Sequence, residues 1–174
     1  MAFADDLLEQ AYHLANKESD NPTQASLRRS VSTAYYAMFH LLIDEAVNKW
    51  AVERHRSALA RTIEHKTMKK VCDDCIKNFF RSGEPESGVK LMNVAQSFAV
   101  LQQWRHIADY DGSFFWSRTD VIRKIDLARK AFEDWRDICT EDSAQDYLLN
   151  LLFPRAAELM KSSKGEVPPP WASR

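Results

Sequence analysis

The segment 101–111, LQQWRHIADYD, gathers four side chains that can do chemistry: Arg105, His106, Asp109 and Tyr110. An arginine guanidinium binds phosphate and carboxylate groups through several N–H donors. A histidine exchanges protons near neutral pH, and a carboxylate or a tyrosine hydroxyl can orient either group. These residue types at this spacing indicate a reactive or ligand-binding cluster, or only the polar end of a helix.

Helix geometry offers a structural explanation of the same segment. Residues four apart share a helix face, so Arg105 can pair with Asp109, and His106 can contact Tyr110. An exposed ion pair of this kind contributes about 0.3–0.5 kcal/mol. Arg105 also falls on the apolar stripe that contains Leu101, where an unpaired guanidinium would be costly. We therefore expect Asp109 or a nearby tyrosine to hold Arg105 in a polar pocket, where it is more a ligand anchor than a stabiliser.

The composition is that of a single soluble globular domain. The 174 residues are 45% apolar and 28% charged, with a net charge of −1, which is ordinary for a folded domain. A net charge near zero excludes a basic surface along the whole chain that would bind duplex DNA or an anionic membrane. No apolar run approaches the roughly 18 residues of a membrane span, and acidic residues stand where a signal peptide carries basic ones. We expect a cytoplasmic protein that does not bind a membrane.

The cysteines do not predict a metal centre. Cys72 and Cys75 form one CxxC pair, and Cys139 lies far from it. An odd count argues against a disulfide framework, and a zinc site with four ligands needs a second pair. His65, seven residues before Cys72, leaves a partial metal site open as the minor alternative. We expect no metal and no cofactor.

The apolar residues recur at spacings of three and four without sustained alternation, and only four glycines occur. This pattern predicts an all-α protein, an antiparallel bundle of five to six helices. We expect one domain over residues 1–160 and a Pro-rich, flexible C-terminal tail over residues 161–174. The predicted helices cover about residues 4–17, 24–48, 54–80 (continuous or broken), 89–110 and 118–139, with a sixth helix after Ser143.

Capping residues mark three of the helix starts. Hydroxyl, amide and carboxylate side chains at these positions can accept the first free backbone N–H groups of a helix. The candidates are Asn21 or Thr23, Ser117 with Asp120, and Ser143 with Asp146.

The second helix has two contrasting faces. One is apolar and is formed by Leu27, Val31, Ala34, Met38 and Leu41. The nearly opposite face is aromatic and basic and contains Arg29, Thr33, Tyr36 and His40. Such a helix often contacts two partners. Arg29, Tyr36 and His40 are therefore candidate residues of a subunit or partner interface, and the alternative is an ordinary second packing surface.

Two further clusters are more simply explained by structure than by function. Segment 53–66 carries basic residues interleaved with acidic ones, which favours a solvated helix face: Arg54, His55, Arg56, Arg61 and His65. Aromatic side chains in the SFFW turn can stack on bases, but we favour a role in covering the end of the bundle: Phe114, Phe115 and Trp116.

Two motifs in this order resemble the HEPN superfamily. LRRSVSTAYYAMFHLL in the second helix is followed by LQQWRHIADYD and then by a charged amphipathic helix. The resemblance covers residues 24–139 and is closest to small stand-alone bacterial and archaeal members. It implies a helical bundle that commonly forms homodimers. Such proteins are metal-independent ribonucleases or inactive binding modules, and the latter are often encoded beside a minimal nucleotidyltransferase.

The nuclease branch of that superfamily has an arginine, usually a polar residue, and a histidine a few residues later. Arg105 matches the arginine and His106 the polar position, but Tyr110 stands where the histidine is expected. A tyrosine, with an ordinary pKa near 10, is a poorer general base at neutral pH than a histidine. The resemblance implies Arg105, Asp109 and Tyr110 as ligand-binding residues. If the chain cleaves RNA, it implies Arg105 with His106 or Tyr110 as catalytic residues.

We therefore expect a dimeric HEPN-like binding or regulatory module of a toxin–antitoxin-like or nucleotidyltransferase-associated system. Its expected ligand is RNA or a nucleotide, and its expected protein partner is a nucleotidyltransferase or an antitoxin. The alternative is a metal-independent endoribonuclease with an R-x4-Y motif in place of R-x4-H. A third interpretation is a bundle whose main property is dimerisation.

Overall fold

The computed structural model describes residues 3–82 and 86–154, and every regular element in these ranges is an α-helix. None of these helices is long and apolar enough to cross a membrane. The all-α class predicted from the apolar spacing is confirmed. The predicted tail at residues 161–174 and the domain end at residue 160 lie outside the described residues. The helices are α1 (Phe3–Ala15), α2 (Gln24–Asn48), α3 (Glu53–Ala60), α4 (His65–Ser82), α5 (Glu86–Tyr110), α6 (Arg118–Ile138) and α7 (Asp142–Leu152).

The predicted helical stretch over residues 54–80 is divided into α3 and α4. The described residues therefore contain seven helices, not the five to six that we predicted. In the turn between the two, Thr62 Oγ1 donates a hydrogen bond to the Leu59 carbonyl at 2.7 Å, and Ile63 is buried in the core. These two contacts stabilise a turn that apolar spacing alone does not reveal. The turn also sets where α4 begins.

Helix α2 lies at the centre of the bundle and is buried on most of its sides. Helices α1, α5 and α6 pack against it. Even its polar positions are enclosed: Ser30 Oγ donates to the Ala11 carbonyl at 2.6 Å, and Thr33 Oγ1 to the Arg29 carbonyl at 2.7 Å. These internal hydrogen bonds satisfy hydroxyls that would otherwise be costly to bury. The aromatic–basic face predicted for α2 is thus largely in contact with the chain itself.

Two of the predicted helix caps are confirmed. Thr23 precedes α2, and its Oγ1 accepts from the Ser26 backbone N–H at 3.2 Å. Ser117 precedes α6, and its Oγ accepts from the Asp120 backbone N–H at 3.1 Å. Each bond satisfies one N–H group that the first helical turn leaves without a partner.

The predicted capping box at the start of α7 is wrong. The helix begins one residue before Ser143, so the N-terminal flanking residue is Glu141, and no side chain caps that end. Gln145 Nε2 instead donates to the Cys139 carbonyl at 2.5 Å. This bond closes the short turn between α6 and α7, and Ser143 and Asp146 lie inside the helix.

One hydrophobic core joins these helices. It places the central turns of α2 beside the C-terminal end of α5 and the start of α4, and the candidate site lies there. The largest fully buried side chains of this core are Trp135, Tyr35, Phe98, Phe132, Leu27, Met38 and Leu42.

Candidate functional site

Arg105 lies in the last two turns of α5 and is held by two neighbours. Its Nε lies 2.7 Å from Asp109 Oδ2, and its Nη2 donates to the Tyr36 hydroxyl at 3.0 Å. The prediction that Asp109 or a tyrosine holds this guanidinium is confirmed, since both do. The Arg105 side chain is 23% exposed. The charge therefore lies at the edge of the core and remains open to solvent on one side.

Asp109 joins this pair to α2. Its Oδ1 accepts a hydrogen bond from the Ser32 hydroxyl at 2.5 Å, and Ser32 is fully buried. Hydrogen bonds to a charged group are stronger than those between neutral groups. Because each carboxylate oxygen has its own partner, the orientation of Asp109 is set from both helices. The Arg105–Asp109 pair is thus tied into the fold and is more than a contact within one helix.

The guanidinium of Arg105 also contacts two aromatic rings. Its Cζ lies 5.6 Å from the ring centre of Tyr36 and 5.8 Å from that of Tyr110, within cation–π range. Burial by itself would lower the pKa of Arg105, but Tyr36 and Asp109 outweigh it and raise that pKa above its ordinary value. The group therefore stays charged. Its Nη1 has no hydrogen-bond partner among the described residues, so donors remain for a ligand.

His106 and Tyr110 lie on the outer side of α5. Both are exposed, Tyr110 to 68%, and their ring centres are 5.0 Å apart. The predicted contact between these two residues is confirmed. This contact joins the two rings at the surface. His106 makes no hydrogen bond to Arg105 or Asp109 in the described part of the chain. Tyr110 is the member of the pair that also reaches the guanidinium.

A histidine from another helix joins the cluster, and sequence reasoning missed it. His65, the first residue of α4, places its Nδ1 2.6 Å from the Tyr35 hydroxyl. Its ring centre lies 4.2 Å from Phe39 and 6.2 Å from Tyr36. The interleaved charges of segment 53–66 predict a solvated position for His65, which is wrong because its ring packs on Phe39 and contacts Tyr35. The turn at residues 61–64 brings it back to α2, and no spacing in the sequence signals that contact.

His65 and His40 are both shifted toward their neutral forms. Burial is the main cause that lowers the pKa of His65, and the positive charge of Arg105 lowers it further. Burial also lowers the pKa of His40, while the nearby Asp44 partly opposes that shift. Near neutral pH both histidines are therefore held toward their neutral forms, while Arg105 stays charged. The cluster becomes more positive as the pH falls.

The three predicted interface residues have different environments. Tyr36 is half-buried and belongs to the Arg105 cluster. His40 is half-buried, and its ring lies 4.8 Å from that of Phe3 in α1. Arg29 is exposed. Of these three residues, only Arg29 is exposed, whereas Tyr36 and His40 already contact other parts of the chain. Arg29 is therefore the residue most available to a second subunit or a partner protein.

The SFFW turn mainly covers the end of the bundle, as we predicted. Trp116 is buried, and Phe114 packs between it and Trp104 with ring centres 4.8 and 5.8 Å away. Phe115 points outward and is 82% exposed. Phe114 and Trp116, on either side of Phe115, therefore have a structural role.

The basic segment of α3 is a solvated face. Helix α3 buries no residue, and Arg54, His55 and Arg61 are all exposed. Arg56 is partly covered, and its Nε donates to the Trp50 carbonyl at 3.0 Å. This confirms the predicted solvated face for α3, with His65 in the next helix as the exception.

The CxxC motif lies within α4. Cys72 is buried, and its Sγ lies 3.1 Å from the Tyr147 hydroxyl. Burial raises the pKa of Cys72 to about 12, so the free thiol stays protonated at neutral pH. Among the described residues, no group of three or more His, Cys, Asp or Glu side chains is arranged to hold a metal ion.

Comparisons with models of protein families, with curated proteins and with solved structures gave no match to this chain. The functional interpretation therefore depends on the contacts of the cluster itself. They combine a held and charged guanidinium, two tyrosine rings and a histidine shifted toward its neutral form, all on one half-buried surface.

Proposed function

We propose that this chain is a HEPN-like binding or regulatory module that binds a phosphate group of RNA or of a nucleotide at Arg105. The observation that carries the proposal is the state of the guanidinium. Its Nε forms an ion pair with Asp109 and its Nη2 donates a hydrogen bond to Tyr36, while Nη1 has no hydrogen-bond partner in the described residues. A planar, permanently charged group oriented in this way suits phosphate oxygens.

The network is better explained by ligand binding than by stability. A partly exposed ion pair contributes at most about 1 kcal/mol, which does not require support from Ser32 and Tyr36. Orienting the guanidinium before a ligand arrives lowers the entropy cost of binding. Tyr110, exposed and next to the guanidinium, offers a ring on which a base can stack for about 1–3 kcal/mol. A nucleotide with its phosphate at Arg105 and its base on Tyr110 uses both features.

We test this function by fluorescence anisotropy with a labelled single-stranded RNA in EDTA. Replacement of Arg105 by glutamine should weaken binding about 10- to 100-fold, since a hydrogen bond to a charged group contributes about 1.5–3 kcal/mol. Arg105→Lys should restore only part of the affinity, because an ammonium lacks the planar donor geometry. The matched control is Arg123→Gln on α6, whose side chain is 71% exposed and 3.5 Å from Asp120.

The control variant should bind RNA within about twofold of the wild type, since one exposed charge whose ion pair is with Asp120 and not with the candidate site adds little. Equal losses in the Arg105 and Arg123 variants would indicate only a general effect of net charge. Unchanged binding in Arg105→Gln would refute the proposed site.

The alternative function, metal-independent cleavage of RNA by Arg105 with His106 or Tyr110, has less support. Tyrosine is ordinarily protonated at neutral pH and is a poor general base. His106 makes no hydrogen bond to Arg105 or Asp109 in the described residues. We therefore expect the RNA to remain intact on a denaturing gel after incubation with wild-type protein in EDTA. Cleavage by the wild type that is lost in Arg105→Gln would replace the binding proposal with the enzymatic one.

Our proposal includes a homodimer and a nucleotidyltransferase or an antitoxin as the protein partner. The HEPN resemblance and the exposed position of Arg29 on α2 support it. Light scattering at micromolar concentration should return about twice the 20.1 kDa of one chain. The dimer of the Arg29→Glu variant should have a higher dissociation constant than the wild-type dimer, because a reversed charge at an interface is repelled. A mass near that of one chain at all concentrations would contradict the dimer.

A further inference from the structure

We propose that His65 is a second ligand-contacting residue of the Arg105 site, whose Nε2–H group donates a hydrogen bond to the same phosphate group. This inference rests on the proposed function and extends it to a residue of α4, which lies outside both motifs that suggested the site. Three features of the structure support it: the partner of Nδ1, the position of the ring and the charges around it.

Tyr35 determines which nitrogen of His65 carries the proton. The Tyr35 side chain is buried, and its hydroxyl lies 2.6 Å from His65 Nδ1. Burial raises the pKa of Tyr35 well above its ordinary value, so the hydroxyl keeps its proton, and we assign this hydroxyl as the donor to Nδ1. A neutral imidazole that accepts at Nδ1 carries its own proton on Nε2. The opposite edge of the ring is therefore a hydrogen-bond donor.

The His65 ring contacts the same tyrosine as Arg105 does. Gln102 Nε2 donates to the His65 carbonyl at 3.1 Å, which ties the first residue of α4 to α5. The ring then packs on Phe39 and meets the ring of Tyr36 at its edge. Tyr36 is also the residue whose hydroxyl accepts from Arg105. His65 and Arg105 thus flank one tyrosine, and Nε2 has no hydrogen-bond partner among the described residues.

The surrounding groups make His65 responsive to an anion. Tyr35, Tyr36 and His40 face it from α2, and Arg105 acts on it from α5. None of these four has a carboxyl group, and after burial, which is the main cause, Arg105 and His40 both lower the pKa of His65. An anion bound between His65 and Arg105 would reverse part of that effect. By linkage, an anion that raises this pKa must itself bind more tightly as the pH falls.

The test is a pH titration of the histidine side-chain ¹⁵N resonances in the wild-type protein, with and without sulfate at constant ionic strength. Sulfate is the probe because, unlike phosphate, it does not change charge near neutral pH. The His65 signals are identified by their loss in His65→Gln. Sulfate should raise the pKa of His65 by about one unit, as a nearby opposite charge does. His55, which is exposed on α3, serves as the internal control and should not shift comparably.

Two results would overturn the assignment. The first is a His65 pKa that sulfate does not change, and the second is a change of equal size in Arg105→Gln or at His55. At a pH at which His65 is neutral, its ¹⁵N shifts should also show that the proton is on Nε2. Tyr35→Phe should reduce the fraction of His65 that has its proton on Nε2. A residue that only packed in the core would show none of these responses to sulfate.

The same RNA-binding assay separates this inference from the proposed function. His65→Gln should weaken RNA binding about 3- to 10-fold at pH 7, the effect of one hydrogen bond. The wild-type affinity should increase from pH 8 to pH 6 and that of His65→Gln much less. If RNA does not bind but sulfate shifts His65 through Arg105, the proposed function fails and the anion site stands. If RNA requires Arg105 but His65 responds to neither ligand, this inference alone fails.

Discussion

Replacing Phe98 with alanine is expected to lower the free energy of unfolding by about 3–5 kcal/mol. Phe98 in α5 is fully buried, and its ring centre lies 5.4 Å from that of Tyr35 in α2. Truncation removes buried apolar surface and leaves a cavity between the two helices. Because Tyr35 positions His65, the same cavity should also loosen the candidate site.

Urea unfolding followed by circular dichroism measures this change. The matched control is Phe115→Ala, which removes the same side chain from a position that is 82% exposed. That control should alter the free energy of unfolding by less than about 0.5 kcal/mol. If Phe98→Ala cost under about 1 kcal/mol, the two helices would not be packed as described.

Replacing Arg28 with alanine should lower the free energy of unfolding by about 2–3 kcal/mol. The Arg28 guanidinium donates to three carbonyl oxygens in the last turn of α5 and in the turn after it: those of Ala108 at 3.0 Å, Asp111 at 2.8 Å and Phe114 at 2.6 Å. Carbonyls at a helix C-terminus lack partners within the helix, and basic side chains can satisfy them. One residue of α2 thus fixes the end of the helix that carries Arg105.

Arg54 supplies the control, since it is an exposed arginine on α3, outside the proposed interface. Arg54→Ala should change the free energy of unfolding by less than about 0.5 kcal/mol. Arg28→Ala should in addition weaken RNA binding, although Arg28 is no part of the proposed site. Equal stability of the two variants would show that the three hydrogen bonds do not anchor the end of α5.

The sequence predicted most of the helices because their signals are local. The bounds of α2 and the cap of α6 followed from apolar spacing and from hydroxyl residues at the helix starts, which depend only on nearby residues. The contact of Arg105 with an acidic or tyrosine side chain was also predictable, because a guanidinium on an apolar stripe needs a partner. Asp109, four residues later, was the nearest candidate.

The remaining parts of the site depend on contacts between residues far apart in the chain. The sequence did not predict His65 as a site residue, because its partner Tyr35 lies thirty positions earlier. Only the turn at residues 61–64 brings the two residues together. Tyr36 was assigned to an interface because its face of α2 contrasts with the apolar one. That contrast gives the direction of a side chain but not the identity of its neighbour, which is Arg105.

The dependence of RNA affinity on salt concentration tests most directly whether Arg105 binds phosphate. Each phosphate contact to a single strand contributes about 0.7 to the slope of log K against log salt concentration, through the release of counterions. In parallel titrations at fixed pH, Arg105→Gln should therefore show a slope smaller in magnitude than the wild type by about 0.7, while Arg123→Gln keeps the wild-type slope. An unchanged slope in Arg105→Gln would contradict a phosphate contact at this residue.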